Sequence, residues 1–292
     1  MHRILILICL LFVMACSEKQ QQQKPLTDGE RQQIAALTDQ LITSINGFDF
    51  AVVNNTWSNT AFKRRIVNIT NTQQSVLDHL FEEDLKQTIK FGNLSIIHEV
   101  NDGRGKASLL NIQYFDYHAE ALILLSFPET FHFCKYRIEM VKGSPVLSDF
   151  FQLKDNLWYS QRLMSTLKVN SQYDAFSEER QQANLAMDAS TEALNAGDTL
   201  LALQYLYEVP DVYEVGSWLS VKKIDLAANL ADTIFSSVIY TEYQSNQSLY
   251  VQYIYNYYFD TTALSSTYQS LEKELGVTGS LDSLVSANKV WY

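Results

Sequence analysis

The chain has 292 residues, 47% of them hydrophobic and 19% charged, a balance that excludes an intrinsically disordered protein. Its 33 acidic side chains against 22 basic ones leave a net charge of −11, which excludes nucleic acid as an expected partner. Residues 16–154 hold 14 Lys and Arg against 16 Asp and Glu, whereas residues 155–292 hold 7 against 17; this unevenness, with the length, predicts two domains.

At the N-terminus, His2 and Arg3 precede an unbroken apolar or Cys run from Ile4 to Met14, followed by Ala15 and Cys16. A span across a bilayer needs ~20 apolar residues, so this run reads as an export signal over residues 1–15. Val13-Met14-Ala15-Cys16 resembles the bacterial lipobox. That resemblance implies cleavage before Cys16 and its modification by lipid, including palmitate. It implies a lipoprotein anchored at the outer membrane or cell surface of a Gram-negative bacterium, with the periplasmic face as the other placement. Residues 16–27, with Gln20 to Gln23 at their centre, carry no hydrophobic period and form the expected tether. Cys9 leaves with the signal and Cys16 takes lipid, so Cys134 is expected to stay an unpaired, buried thiol.

Within residues 28–154, helical spacing of Ile34, Leu37, Leu41, Ile42 and Ile45 predicts a first helix over 28–46, capped by Thr27 or Asp28 and stopped by Gly47. A short helix over 48–57, a strand over 62–69 and a helix from Thr72 to about Gly92 are expected next. Strands are then predicted at 94–100, 107–115, 119–127, 131–141 and 145–152, with turn residues at 101–105, 128–130 and 142–144 between them. Helices followed by such a meander, ending in Tyr136 to Val141, a Lys142-Gly143 turn and Val146 to Phe151, resemble the nuclear transport factor 2-like family. The resemblance implies a cone-shaped α+β fold, a curved antiparallel sheet closed by helices, often around a pocket. It does not assign a function, because the fold carries many.

Residues 155–292 read as an all-α domain of helical hairpins: Glu178 to Asn195, Leu200 to Tyr207, one long helix from Trp218 to Tyr243, Ser248 to Phe259, Thr262 to Leu275 and Leu281 to Ala287. Asn195-Ala196-Gly197-Asp198, followed by Ala202 and preceded by Ala186, Ala189 and Ala193, resembles part of a tetratricopeptide repeat, although the large aromatic signature of its first helix is missing and no second copy follows.

Four imidazoles, His79, His98, His118 and His132, remain after the signal, but no metal-binding spacing accompanies them, so neither metal nor cofactor is expected. His118 and Glu120 share a strand face. Asp116, Glu120 and Asp149 are the candidate catalytic carboxylates, since the strands of a cone fold are where a general acid or base would stand. No nucleophile elbow, phosphate-binding loop or dinucleotide fingerprint occurs. Lys63-Arg64-Arg65, placed on the expected strand, would alternate faces and stay mostly solvated. Of 17 tyrosines, 12 lie in residues 205–292, and Tyr250, Tyr253 and Tyr257 recur on one helix face, suited to packing between helices or to holding a polypeptide or glycan. Asp198-Thr199-Leu200, Asp232-Thr233-Ile234, Asp260-Thr261-Thr262 and Asp282-Ser283-Leu284 resemble the acceptor sequence of extracytoplasmic O-glycosylation; Asp198, Asp260 and Asp282 also sit where helix N-caps are expected. The sequence thus favours a non-enzymatic binding or assembly module, attached to the membrane by its lipid and meeting an envelope protein or glycan. A small-molecule-binding or hydrolytic pocket in the α+β domain is the second reading.

Overall fold

The computed structural model describes residues 24–70, 96–128, 130–161, 177–210, 217–246, 248–279, 281 and 290–291. The expected export signal, Cys16, His79, Asp282 and the expected helices at 72–91 and 281–287 lie outside the described residues or largely so. The fold is mixed α+β, an antiparallel sheet with helices before and after it.

Helix α1 (Asp28–Asn46) begins at a capping box in which Thr27 and Glu30 satisfy each other's backbone N–H groups, and it ends at Gly47. Its buried stripe is Ile34, Leu37, Leu41 and Ile45, the helical spacing read from the sequence. Asn46 then clamps the helix to the sheet, bonding both the carbonyl and the N–H of Ala107 at 2.9 and 2.7 Å. Leu26, within the expected tether, is buried and donates its N–H to the Asp116 carbonyl. Helices α2 (Ala51–Thr56) and α3 (Asn59–Thr70) follow, and residues 96–102 form α4.

Two elements differ from the sequence expectation. Residues 62–69 are helical, not a strand, and the segment read as a strand at 94–100 is helical from 96. In both, β-branched residues suggest strand, but the buried positions, Phe62 with Ile66 and Ile96 with Ile97 and Val100, recur at helical spacing, and burial outweighs a propensity difference of under ~1 kcal/mol per residue.

Strands β1 (Lys106–Tyr114), β2 (His118–Ser126), β3 (Thr130–Val141) and β4 (Ser144–Gln152) form the expected meander, extended by β5 (Leu157–Trp158) beside β4. A short β6 (Val290–Trp291) runs parallel to the start of β3. Lys142 and Gly143, both at positive φ, make the two-residue turn from β3 to β4. A Cβ on Gly105 would lie 2.5 Å from the Phe127 ring, so the turn before β1 needs glycine to close over that side chain.

The helical part comprises α5 (Ser177–Asn195), α6 (Thr199–Tyr207), α7 (Trp218–Ala227), α8 (Asp232–Ser245), α9 (Leu249–Phe259), a 3₁₀ turn at Thr261–Ala263 and α10 (Leu264–Leu275). The single long helix expected over 218–243 is two, broken at residues 228–231, where no Gly or Pro gives warning. Gly197, at φ +83°, turns α5 into α6, and Ser190 fastens the pair by donating to the Ala202 carbonyl at 2.8 Å.

Alternation along the strands gives the sheet two apolar faces. On the first, Ala121, Ile123, Tyr136, Ile138, Leu147 and Phe150 pack against the stripe of α1 and against Ile96, Ile97 and Val100 of α4. On the second, Leu122, Leu124, Phe131, Phe133, Phe151 and Leu153 share a cluster with Val221, Ile224, Ile239, Tyr250, Tyr253, Leu271 and Leu275. Ser217 ties the start of α7 to the turn between β4 and β5 through the carbonyls of Lys154 and Asp155. The sheet is therefore covered on both sides, and the C-terminal helices need its second face to complete their own core. No helix among the described residues is long and apolar enough to cross a membrane.

Candidate functional site

Beyond Phe131 and Phe133, the second face of the sheet changes from apolar to charged. Antiparallel register sets Glu120 of β2 opposite Arg137 of β3, and Arg137 opposite Asp149 of β4, so two of the three candidate carboxylates flank one guanidinium across three strands. A register shift between Arg137 and Ile138 brings Asp149 onto this face. Helix α3 supplies the next charges: a parallel bridge between Trp57 and Leu147, and the Ser58 N–H on the Leu147 carbonyl, pin its start beside β4, and Arg64 and Arg65 project over the sheet. Contrary to the solvated strand expected for Lys63-Arg64-Arg65, Arg64 donates to Glu139 Oε2 at 2.8 Å and Arg65 Nε donates to Asp149 Oδ2.

Asp149 is fully buried and saturated. Besides Arg65, it accepts from Ser160 Oγ at 2.5 Å, the Ser160 N–H at 3.1 Å and the Phe150 N–H at 3.0 Å. Burial pushes its carboxyl above the ordinary range, and Arg65 and Ser160 oppose that shift. A carboxylate offers about four acceptor positions, so no lone pair is left to take a proton from a substrate; Asp149 is an anchor for Arg65 and for the start of the segment at Ser160. Glu120 is placed differently. Burial raises its pKa, but the hydrogen bond from His118 and the charges of Lys135, His118 and Arg137 outweigh that, and the carboxyl lies below its usual range. His118 Nε2 is 3.5 Å from Glu120, with the imidazole stacked on Phe115 at 4.5 Å. Asp116, the third candidate, is exposed in the β1–β2 turn, where its carbonyl holds Leu26. Glu139, which the sequence did not single out, links Arg64 to Arg137, whose Nε lies 3.0 Å from Oε1, and accepts from Ser148 at 3.2 Å.

The remaining imidazoles sit apart: His98 lies against Phe48 and Phe50, and buried His132 is 3.4 Å from Glu99. Among the described residues, no three His, Cys, Asp or Glu side chains converge to hold a metal. Cys134 is buried on the first face, its thiol raised by burial and then by the charge of Glu99. The crevice beside it, lined by Ile96, His132 and Lys154, has no room for a water molecule.

A second concave place lies among the helices. A groove of about 500 Å³ runs between α6 and α8, with Leu203, Tyr207, Ile234 and Val238 as its apolar lining and Gln204, Thr233, Ser237 and Thr241 as its polar one. Thr233, Ser237 and Thr241 recur every four residues along α8, a spacing visible in the sequence but not among its candidate site residues. Behind the groove is a buried ion pair, Lys223 Nζ to Glu242 Oε1 at 3.3 Å, with Ser220 donating to Oε2 at 2.7 Å. Tyr207 is held against it: its ring covers the Lys223 ammonium at 4.5 Å, and burial, the charge of Glu242 and a hydrogen bond to Glu242 keep the phenol protonated. The tyrosine stripe itself is interior. Tyr250 and Tyr253 belong to the second-face core, and Tyr257 packs partly buried against it.

Compared with protein-family models, with curated proteins and with solved structures, the chain matches none.

Proposed function

We propose that this protein is a lipid-anchored binding or assembly module of the bacterial cell envelope, attached through Cys16 at the outer membrane or cell surface, and that the groove between α6 and α8 seats its partner. The anchor rests on the signal layout ending in Ala15-Cys16. In this reading residues 28–154 form the α+β domain nearest the tether, cone-shaped as its family resemblance implies, and residues 155–292 present the partner from a helical, tetratricopeptide-like domain. The groove is the observation that carries the binding role. Its volume falls in the range of ligand sites, ~300–1,000 Å³, and no charged side chain lines it. Tyr207 offers a ring fixed by Lys223 and Glu242, so little rotamer entropy is lost on contact. The acidic character of residues 155–292 favours a neutral or cationic envelope protein or a glycan over any polyanion.

A photo-crosslinking residue at Gln204, in cells expressing the full chain, tests this reading. A discrete adduct, lost when Tyr207 is changed to Ala, is the expected result; an adduct pattern identical to that from an exposed site outside the groove, such as Gln32, would remove the groove from the proposal. A second reading, small-molecule binding or hydrolysis in the α+β domain, draws on the His118–Glu120 pair beside Arg137.

A further inference from the structure

The charged end of the sheet holds more cation than its own carboxylates use. Arg64, Arg65, Lys135 and Arg137 stand there against Glu120, Glu139 and Asp149. Each guanidinium carries five N–H donors. Arg65 spends Nε on Asp149 and Arg137 spends Nε on Glu139, and the terminal nitrogens of both have no hydrogen-bond partner among the described residues. Both side chains are largely buried but keep part of their surface at the solvent, 15% for Arg65 and 18% for Arg137.

Both forks are held before any ligand arrives. The Arg65 guanidinium lies over the Trp158 ring at 4.7 Å and is anchored by a carboxylate that is itself fixed by two N–H groups and a hydroxyl. Arg137 is steadied by Glu139, which Arg64 and Ser148 hold in turn. The two guanidiniums also repel: after burial, the charge of Arg65 is the next cause that depresses the Arg137 pKa, although Glu139 and Glu120 oppose it. An anion shared between the forks relieves that repulsion and takes up donors that no described residue uses.

We propose that Arg65 and Arg137 form a binding site for a small oxyanion, a carboxylate or phosphate group, at the charged end of the sheet's second face. Glu120 and Glu139 border the forks, and the whole chain is strongly acidic, so the site selects a compact anion and rejects a polyanion. It is separate from the α6–α8 groove and does not depend on it.

Calorimetric titration of the full chain in detergent with inorganic phosphate, and separately with succinate, at ionic strength matched by chloride, tests the site. Saturable binding of either with a Kd of about 1 mM or tighter is expected. Binding of phosphate alone, or of succinate alone, identifies which oxyanion the site takes. Arg137→Gln should weaken that binding at least tenfold, and Arg137→Lys, which keeps the charge and loses the fork, should weaken it as well; the Lys variant gives the reading if the Gln variant does not fold. Lys106→Gln, at an exposed side chain at the other end of the sheet, opposite Ser126, should leave binding within about twofold. The proposal fails if neither anion binds, if Arg137→Lys binds as the natural chain does, or if Lys106→Gln abolishes binding as completely as the Arg137 variants, which would mean a diffuse charge effect.

Discussion

At the scale of single residues, the buried polar groups separate into those that are satisfied and those that are not. Asp149 closes an ion pair with Arg65 and accepts three further hydrogen bonds, so Asp149→Asn leaves a largely buried guanidinium without its counter-charge. A loss of about 3–5 kcal/mol in urea unfolding is expected, against about 1 kcal/mol for Ser160→Ala, which removes one donor. Tyr136 is the opposite case. Its hydroxyl is buried with no partner among the described residues, so Tyr136→Phe should be neutral or stabilising by about 1 kcal/mol, read in the same experiment.

The pH dependence follows from Glu120, whose folded carboxyl lies below its ordinary value of 4.5 because His118, Lys135 and Arg137 overcome its burial. A depressed carboxyl contributes stability above its unfolded pKa and loses it as pH falls through the folded one. The stability gap between the natural chain and Glu120→Gln should therefore be present at neutral pH, up to about 1 kcal/mol, and should close below pH 4.5. A gap that widens on acidification would contradict the His118–Glu120–Arg137 arrangement. Glu120 and Asp149 were legible as candidates from residue type and strand position alone. Arg65 and Arg137 were not, because their meeting depends on strand register, on the shift after Arg137 and on a helix where the sequence suggested a strand.

At the scale of elements, the meander was readable because turn residues and alternation agree along it. Helices are hidden where β-branched residues stand side by side in the sequence, as at Ile66-Val67 and Ile96-Ile97, and where a break comes without Gly or Pro, as at 228–231. Caps were readable too. Asp198 accepts from the Leu201 N–H at 3.0 Å at the start of α6, whereas Asp260 has no capping bond and instead accepts from the Thr262 hydroxyl. Asp198→Ala should cost about 1 kcal/mol and Asp198→Asn almost nothing, since Asn caps equally well. Because Asn breaks the Asp-Thr-Leu resemblance while keeping the cap, the intact mass of that variant, purified from the envelope, separates the two roles: a mass lower by one glycan assigns Thr199 as an acceptor, and an otherwise unchanged mass leaves only the cap.

At the scale of the whole molecule, β3 joins the two halves of the core. Phe131 and Phe133 face the C-terminal helices, while Cys134 and Tyr136 face α1 and α4. Composition marked a boundary near residue 154, but it carried no sign that the second half would settle on the sheet's free face, since apolar residues on both sides of a strand also suit a sandwich or a dimer. That coupling has a measurable consequence. Cys134 is buried, and burial with the charge of Glu99 disfavours its thiolate, so an alkylating reagent reaches it only when the first-face core opens. In a Cys16→Ser background, Phe131→Ala deletes a fully buried ring on the opposite face and should cost about 3–5 kcal/mol. If the two faces open together, Cys134 labelling should accelerate by the same free energy, more than a hundredfold at 1.4 kcal/mol per decade. If Phe131→Ala lowers the melting temperature and leaves the labelling rate unchanged, the C-terminal helices unfold from the sheet as a separate unit, and the shared cluster is a docking surface between two independent cores.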